Sequence, residues 1–92
     1  METTRERIAD LLREQPMTAS ELAAAAETTP QTAIEHVKHI ARSVAESDEE
    51  LLVAPPTCRD CGFDGFDDPA NLPSRCPACH SERIDEPTFT IR

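Results

Sequence analysis

The chain has 92 residues, a formal charge of −9, no Trp or Tyr and three Phe. That length allows one ordinary domain or two very small ones, with a core of small aliphatic side chains. The longest apolar run, Leu22 to Ala26, is far too short to cross a bilayer, and Glu2 and Glu6 break any signal-peptide pattern. A soluble, cytoplasmic protein with no membrane partner is expected.

In chain order, Thr3-Thr4-Arg5-Glu6 fits a capping box, with Ile8, Leu11 and Leu12 following at helical spacing. Pro16 ends that helix. Thr18-Ala19-Ser20-Glu21 is a second capping box, opening a short helix to about Ala26. Thr29-Pro30 gives an N-cap with Pro at the first helical position, and a third helix runs from there to about Ala45. Its stripe is Ala33, Ile34, Val37, Ile40, Ala41 and Val44. The alanines Ala23–Ala26 let the second helix lie close to the third, as in a helix-turn-helix with Glu27-Thr28-Thr29 as the turn. Such turns often carry Gly; Glu27-Thr28 stand here instead.

Ser47–Glu50 reads as an acidic turn and Leu51–Ala54 as a strand stopped by Pro55-Pro56. Thr88-Phe89-Thr90-Ile91 alternates, with Phe89 and Ile91 on one face, and is expected to pair antiparallel with Leu51–Ala54.

Between those strands stand the four cysteines, Cys58-Arg-Asp-Cys61 and Cys76-Pro-Ala-Cys79. Two Cys-x-x-Cys pairs at this separation point to a tetrahedral structural metal site, with Zn²⁺ as the metal. A reducing cytoplasm favours metal over disulfides. Iron is the alternative, since Cys-x-x-Cys-Gly and Cys-Pro-x-Cys also occur in rubredoxin-like sites. The residue after each second cysteine often needs a positive φ, which suits Gly62 and assigns His80 to a turn rather than to the metal. Phe63, Phe66 and Leu72 are expected to cover the site. Asp64, Asp67 and Asp68 lack the order of a calcium loop and read as solvated surface. Four thiolates fill the coordination sphere, and no nucleophile–base pair or phosphate-binding Gly loop is visible, so no enzyme is expected.

The third helix carries Gln31, Thr32, Glu35, His39 and Arg42 opposite its apolar stripe, flanked by His36 and Lys38. Gln bonds adenine, Arg bonds guanine, and the N-terminal part of a recognition helix reads bases. Thr29, Gln31, Thr32, Glu35 and His39 are therefore candidate base contacts, and Lys38 and Arg42 candidate phosphate contacts. A polar outer face is also what any amphipathic helix shows. His36 and His39 have no third ligand nearby in sequence to make an ion sensor.

Charge is spread along the chain, but the stretch Pro30–Ala45 is locally positive, with Lys38 and Arg42 against Glu35. Only Lys38, of nine basic residues, is Lys. Abundant carboxylate, Arg in place of Lys and little bulky hydrophobe resemble the proteins of salt-loving archaea, whose surface repulsion is screened by salt.

Thr18-Ala19-Ser20-Glu21-Leu22-Ala23, Thr29, Thr32-Ala33, His36-Val37 and Ile40 resemble the helix-turn-helix of archaeal and bacterial winged-helix regulators. With LLVAPPTCRDCGFDGF (Leu51–Phe66) and RCPACH (Arg75–His80), the whole chain resembles a small haloarchaeal group of predicted transcriptional regulators, in which a helix-turn-helix is fused to a zinc ribbon. The resemblance implies DNA binding by the third helix.

The expected fold is thus α+β: a three-helix winged-helix domain over residues 1–54, with a final strand in 84–92 pairing back as the wing. A zinc ribbon over residues 55–83 is inserted at the wing hairpin. The expected function is sequence-specific, non-catalytic regulation of transcription, with double-stranded DNA as partner; the ribbon either extends the footprint through Arg59, Arg75 and Arg83 or docks a protein. The rivals are a protein-interaction adaptor binding RNA polymerase or another transcription protein, and a rubredoxin-like iron protein. A homodimer would let such a regulator read two half-sites.

Overall fold

The computed structural model describes residues 3–66 and 72–92. Its elements run α1 (Thr4–Glu14), β1 (Met17–Thr18), α2 (Ala19–Ala25), α3 (Pro30–Val44), β2 (Leu51–Ala54), β3 (Thr57–Cys58), β4 (Ile84–Asp85) and β5 (Thr88–Ile91). The fold is mixed α+β, with three helices, two small sheets and a cysteine cluster.

Local chemistry sets the helix ends. Both capping boxes form: the Thr3 hydroxyl accepts from the Glu6 amide at 3.1 Å, and the Thr18 hydroxyl from the Glu21 amide at 3.2 Å. Thr29 caps α3 by accepting from the Thr32 amide at 3.1 Å, with Pro30 in the first turn. The α2–α3 turn solves its geometry without Gly, because Glu27 itself takes φ 56°. That left-handed conformation costs a non-Gly residue roughly 1–2 kcal/mol. The Thr28 amide then bonds the Ala23 carbonyl at 2.9 Å, closing the C-terminus of α2.

Met17–Thr18, to which the sequence pattern assigns no strand, forms a short strand just before α2. Its sheet has the order β1-β5-β2, so the last strand of the chain is central. Met17 faces Phe89, and Val53 faces Phe89 from the other side. Phe89 is fully buried, with Ile8, Leu12, Leu22, Ile34 and Val37 in the same core. The Thr90 hydroxyl donates to the Leu12 carbonyl at 3.4 Å, tying β5 to α1.

The β2–β5 hairpin continues into the cysteine-rich segment without a change of register. Ala54 faces Thr88; three residues further on, Thr57 faces Asp85 and Cys58 faces Ile84. The ladder lapses only between these pairs, at Pro55-Pro56 and Glu86-Pro87. Prolines cannot donate to a ladder, which accounts for the gap. Pro56 and Pro87 are fully buried there. Leu72 differs from expectation: it packs against the helical core. One methyl-rich side chain thus anchors the cysteine-rich segment to the helices by burying apolar surface.

Replacing Phe89 by Ala removes the ring at the centre of this core. It should cost about 3–5 kcal/mol, a large share of the stability of a domain this small. Urea denaturation of the metal-loaded protein measures it; a loss under about 1 kcal/mol would mean that β5 is not the keystone.

Candidate metal centre and helix face

The four cysteines converge from two hairpin-like knuckles built on one plan. In the first, the Gly62 amide bonds the Cys58 carbonyl at 2.9 Å and the Cys58 amide bonds the Phe63 carbonyl at 2.8 Å. In the second, the His80 amide bonds the Cys76 carbonyl at 2.9 Å and the Cys76 amide bonds the Ser81 carbonyl at 2.8 Å. Both turns need a left-handed residue: Gly62 has φ 79° and His80 φ 65°. Gly adopts this freely, and His does so more readily than most residues.

All four thiols are free, and their sulfurs lie within 4.8 Å of one another. Cys58 Sγ is 3.6 Å from Cys79 Sγ, and Cys61 Sγ is 3.6 Å from Cys76 Sγ. A tetrahedron with metal–sulfur bonds of about 2.3 Å has edges of about 3.8 Å. The donor set therefore fits a tetrahedral ion, with Cys58, Cys61, Cys76 and Cys79 as its ligands. Such an ion has no open position for substrate. Cys58 and Cys76 are buried, whereas Cys61 and Cys79 are exposed. Phe63 and Phe66 meet edge to face, ring centroids 5.0 Å apart.

The thiols do not share their protons evenly. Burial pushes Cys58 up, but the amides of Cys61 and Asp60 and the neighbouring thiols Cys79 and Cys61 outweigh it and bring it down to about 7. The Phe63 amide favours a thiolate at Cys61; partial loss of water contact and the three other cysteines oppose it and push that thiol up to about 12. The Ser81 amide likewise lowers Cys79, but partial loss of water contact and the sulfurs of Cys58 and Cys76 leave it raised. A divalent ion removes this mutual repulsion.

Around the cage, polar side chains lock one knuckle to the other. Asp60, between the first two cysteines, accepts from the Ser81 hydroxyl and pairs with Arg83 at 3.3 Å. Arg59 pairs with Asp85 across the β3–β4 ladder. Two of the three ribbon arginines proposed from sequence to meet DNA are thus engaged with carboxylates. Asp64 is exposed; Asp67 and Asp68 lie outside the described residues. Among the described residues, the four cysteines form the one group able to hold a metal through three or more side chains.

On α3 the buried side is Ala33, Ile34, Val37, Ile40 and Val44. The other side exposes Gln31, Glu35, Lys38, His39 and Arg42, and the last four line one shallow surface concavity. Thr29 is exposed and Thr32 half-buried. The Thr29 hydroxyl donates to that of Thr32 at 2.9 Å. His36 turns to α1, where its Nδ1 accepts from Arg5 Nε at 3.5 Å. His36 and His39 thus do not converge on an ion.

Residues 3–52 match the family described as PF0610-like, N-terminal. Residues 55–92 match the PF0610 rubredoxin-like zinc beta-ribbon domain. The chain belongs to the PF0610-like family. The solution NMR structure of protein PF0610 from Pyrococcus furiosus matches with a TM-score of 0.83 and 38% sequence identity, over 97% of this chain and 88% of that one. No curated protein matches the chain. The zinc-ribbon assignment and the four-sulfur cage agree on Zn²⁺ as the cofactor.

Sequence reasoning missed one feature of this region: the Glu86 carboxylate accepts from both the amide and the hydroxyl of Ser20, each at 2.8 Å. No periodicity or spacing marks a contact between residues so far apart in sequence.

Because Cys61 and Cys79 hold their protons well above neutrality, metal binding displaces both between about pH 7.5 and 8.5. Apparent zinc affinity should rise by at least about a hundredfold per pH unit there, and fall as acid returns those protons. Competition titrations with a zinc chelator test the slope, and the zinc-loaded protein should be colourless. A flat profile, or the visible colour of iron thiolate, contradicts this account.

Proposed function

We propose that this protein is a DNA-binding transcriptional regulator of the winged helix-turn-helix type, adapted to high salt, as its haloarchaeal resemblance implies. It acts by sequence-specific, non-catalytic binding. The observation that carries the reading is α3: a short turn after α2 places it with one face sealed in the core and the other open. A major groove admits such a helix. The strand order β1-β5-β2 supports the winged reading, with the β2–β5 hairpin as the wing.

Gln31, Glu35 and His39 read base edges, and Thr29 and Thr32 sit at the N-terminal end, where a recognition helix comes nearest the bases. Lys38 and Arg42 meet phosphates. With two cations on this face of a chain of charge −9, phosphate attraction is weak and further weakened by salt. Base contacts then carry more of the binding than in a basic regulator.

A second reading concerns the ribbon. Arg59 and Arg83 are already paired with Asp85 and Asp60, so the ribbon favours a protein partner, such as RNA polymerase, over an extended DNA footprint.

Selection of bound sequences followed by affinity measurement in molar salt tests the DNA reading. Gln31→Ala should cost about 1–3 kcal/mol on the preferred site and relax preference at one base position. The dependence of log affinity on log salt should have a slope of about −2, and Lys38→Ala should reduce it by about one. Retention of polymerase on the immobilised protein, with no DNA retained at any salt, would replace this reading with the adaptor.

A further inference from the structure

The helical part and the ribbon meet at the two-residue gap in the long hairpin, and Glu86 lies in that gap. On one side of it β4 pairs with β3 at the metal cage; on the other, β5 enters the helical core. From there the Glu86 carboxylate reaches the first turn of α2 and accepts from the Ser20 amide and hydroxyl at 2.8 Å each. A negative group at that end also meets the positive end of the helix dipole. The Ser20 amide has no partner within its own helix at this position, so Glu86 satisfies a donor that would otherwise rely on water.

What places Glu86 is equally local. Next to it, Pro87 is fully buried and cannot donate to the ladder, so the segment is fixed by the pairings on either side. On the ribbon side those are two residue pairs, Thr57–Asp85 and Cys58–Ile84. So short a ladder is marginal alone and depends on the cage beside it, of which Cys58 is a member.

We propose that Glu86 is a positioning residue through which metal occupancy of the ribbon reaches the helix-turn-helix. With the cage closed, β3–β4 holds Glu86 against α2, and α2 in turn sets the angle of α3. With the cage open, the β3–β4 end loosens, Glu86 leaves Ser20, and the first turn of α2 loses its external clamp. The β1–β5 pairing persists, because Met17–Thr18 bonds the far side of the gap. The change is thus local to α2 rather than a collapse of the core. The link to reading rests on the DNA-binding function proposed above; the link from metal to α2 does not.

Amide hydrogen exchange by NMR on the full chain separates the two. In the zinc-loaded protein the Ser20 amide should be protected. In zinc-loaded Glu86→Ala, exchange at Ser20 should rise at least about tenfold, while Gly62 and His80 in the knuckles and Ile34 and Val37 in the core stay protected. Chelation of wild type should raise exchange at Ser20 and in the knuckles together. Glu86→Gln, which keeps an acceptor oxygen but not the charge, should fall between. If Ser20 exchanges in Glu86→Ala as in wild type, or stays protected after chelation has exposed Gly62 and His80, the proposal is wrong. Chelation that unfolds the whole chain, exposing Ile34 and Val37 together with Ser20, would also overturn the proposal, because the change it describes is local to α2. Affinity of zinc-loaded Glu86→Ala for a selected DNA site should drop about tenfold, and an unchanged affinity overturns transmission to α3. Exchange coupling in a protein that binds no DNA would leave the metal–α2 link standing and remove the DNA reading instead.

Discussion

The core closes on β5, and β5 lies beyond the metal centre in the chain. Phe89 fills the middle of the helical core, yet it is joined to β2 only through the whole cysteine-rich segment. Bringing the ends of a floppy loop of about thirty residues together costs roughly 3 kcal/mol in chain entropy, beyond a constant term. A four-thiolate ion cross-links that loop near its base and again at its second knuckle, and structural zinc binding releases about 10–16 kcal/mol in favourable cases. The segment between has few apolar side chains to spend on folding, with Phe63, Phe66 and Leu72 the bulky ones besides Ile84. The metal therefore stabilises more than the ribbon: it shortens the path by which the central strand finds its place.

The same hairpin explains how two small units become one body without a large interface. The shared register fixes their relative rotation, the prolines prevent the ladder from running straight through, and Leu72 and Glu86 add one apolar and one polar contact across the junction. Surface ion pairs contribute less. Arg13 bridges Glu49 at 2.6 Å and Asp10 at 2.7 Å, and its guanidinium hydrogen bond holds the Glu49 carboxyl below its ordinary value. These groups are exposed, so salt screens them, and fixing the loop into β2 falls mainly to the backbone bonds between Glu50 and Arg92 at 2.7 and 2.9 Å.

Much of this was legible in the chain because the signals are local. Thr3, Thr18 and Thr29 announce the helix starts through their own hydroxyls, and the Cys-x-x-Cys spacing encodes a knuckle whose left-handed residue can be named in advance. The alternation at Thr88–Ile91 gave the partner of Leu51–Ala54 because few other segments have matching period. What stayed hidden is what tertiary packing decides. Met17–Thr18 becomes a strand only because Phe89 lies opposite. Leu72 looks like any apolar residue near the cysteines until the helical core is seen beside it. Glu86 is one of many carboxylates, and nothing but the fold brings it to Ser20. Arg59 and Arg83 read as basic contacts, but in a chain this acidic their nearest carboxylates claim them first.

That last point bears on how an acidic protein could read DNA at all. With Lys38 and Arg42 as the cations of the α3 outer face, little long-range attraction remains to correct a misplaced helix. Base contacts lose most of their value when displaced by a fraction of a hydrogen-bond length, because a bidentate pair tolerates little error in distance or angle. Under the proposed reading, such a reader must obtain from rigidity what a basic one obtains from charge. The α2–α3 turn held by Glu27 in a strained conformation, the reciprocal caps on α1 and α2, and the Glu86 clamp on the start of α2 all act in that direction. Under that reading, a metal cage that fixes the far end of the hairpin helps hold the proposed reading helix still without itself having to touch the bases.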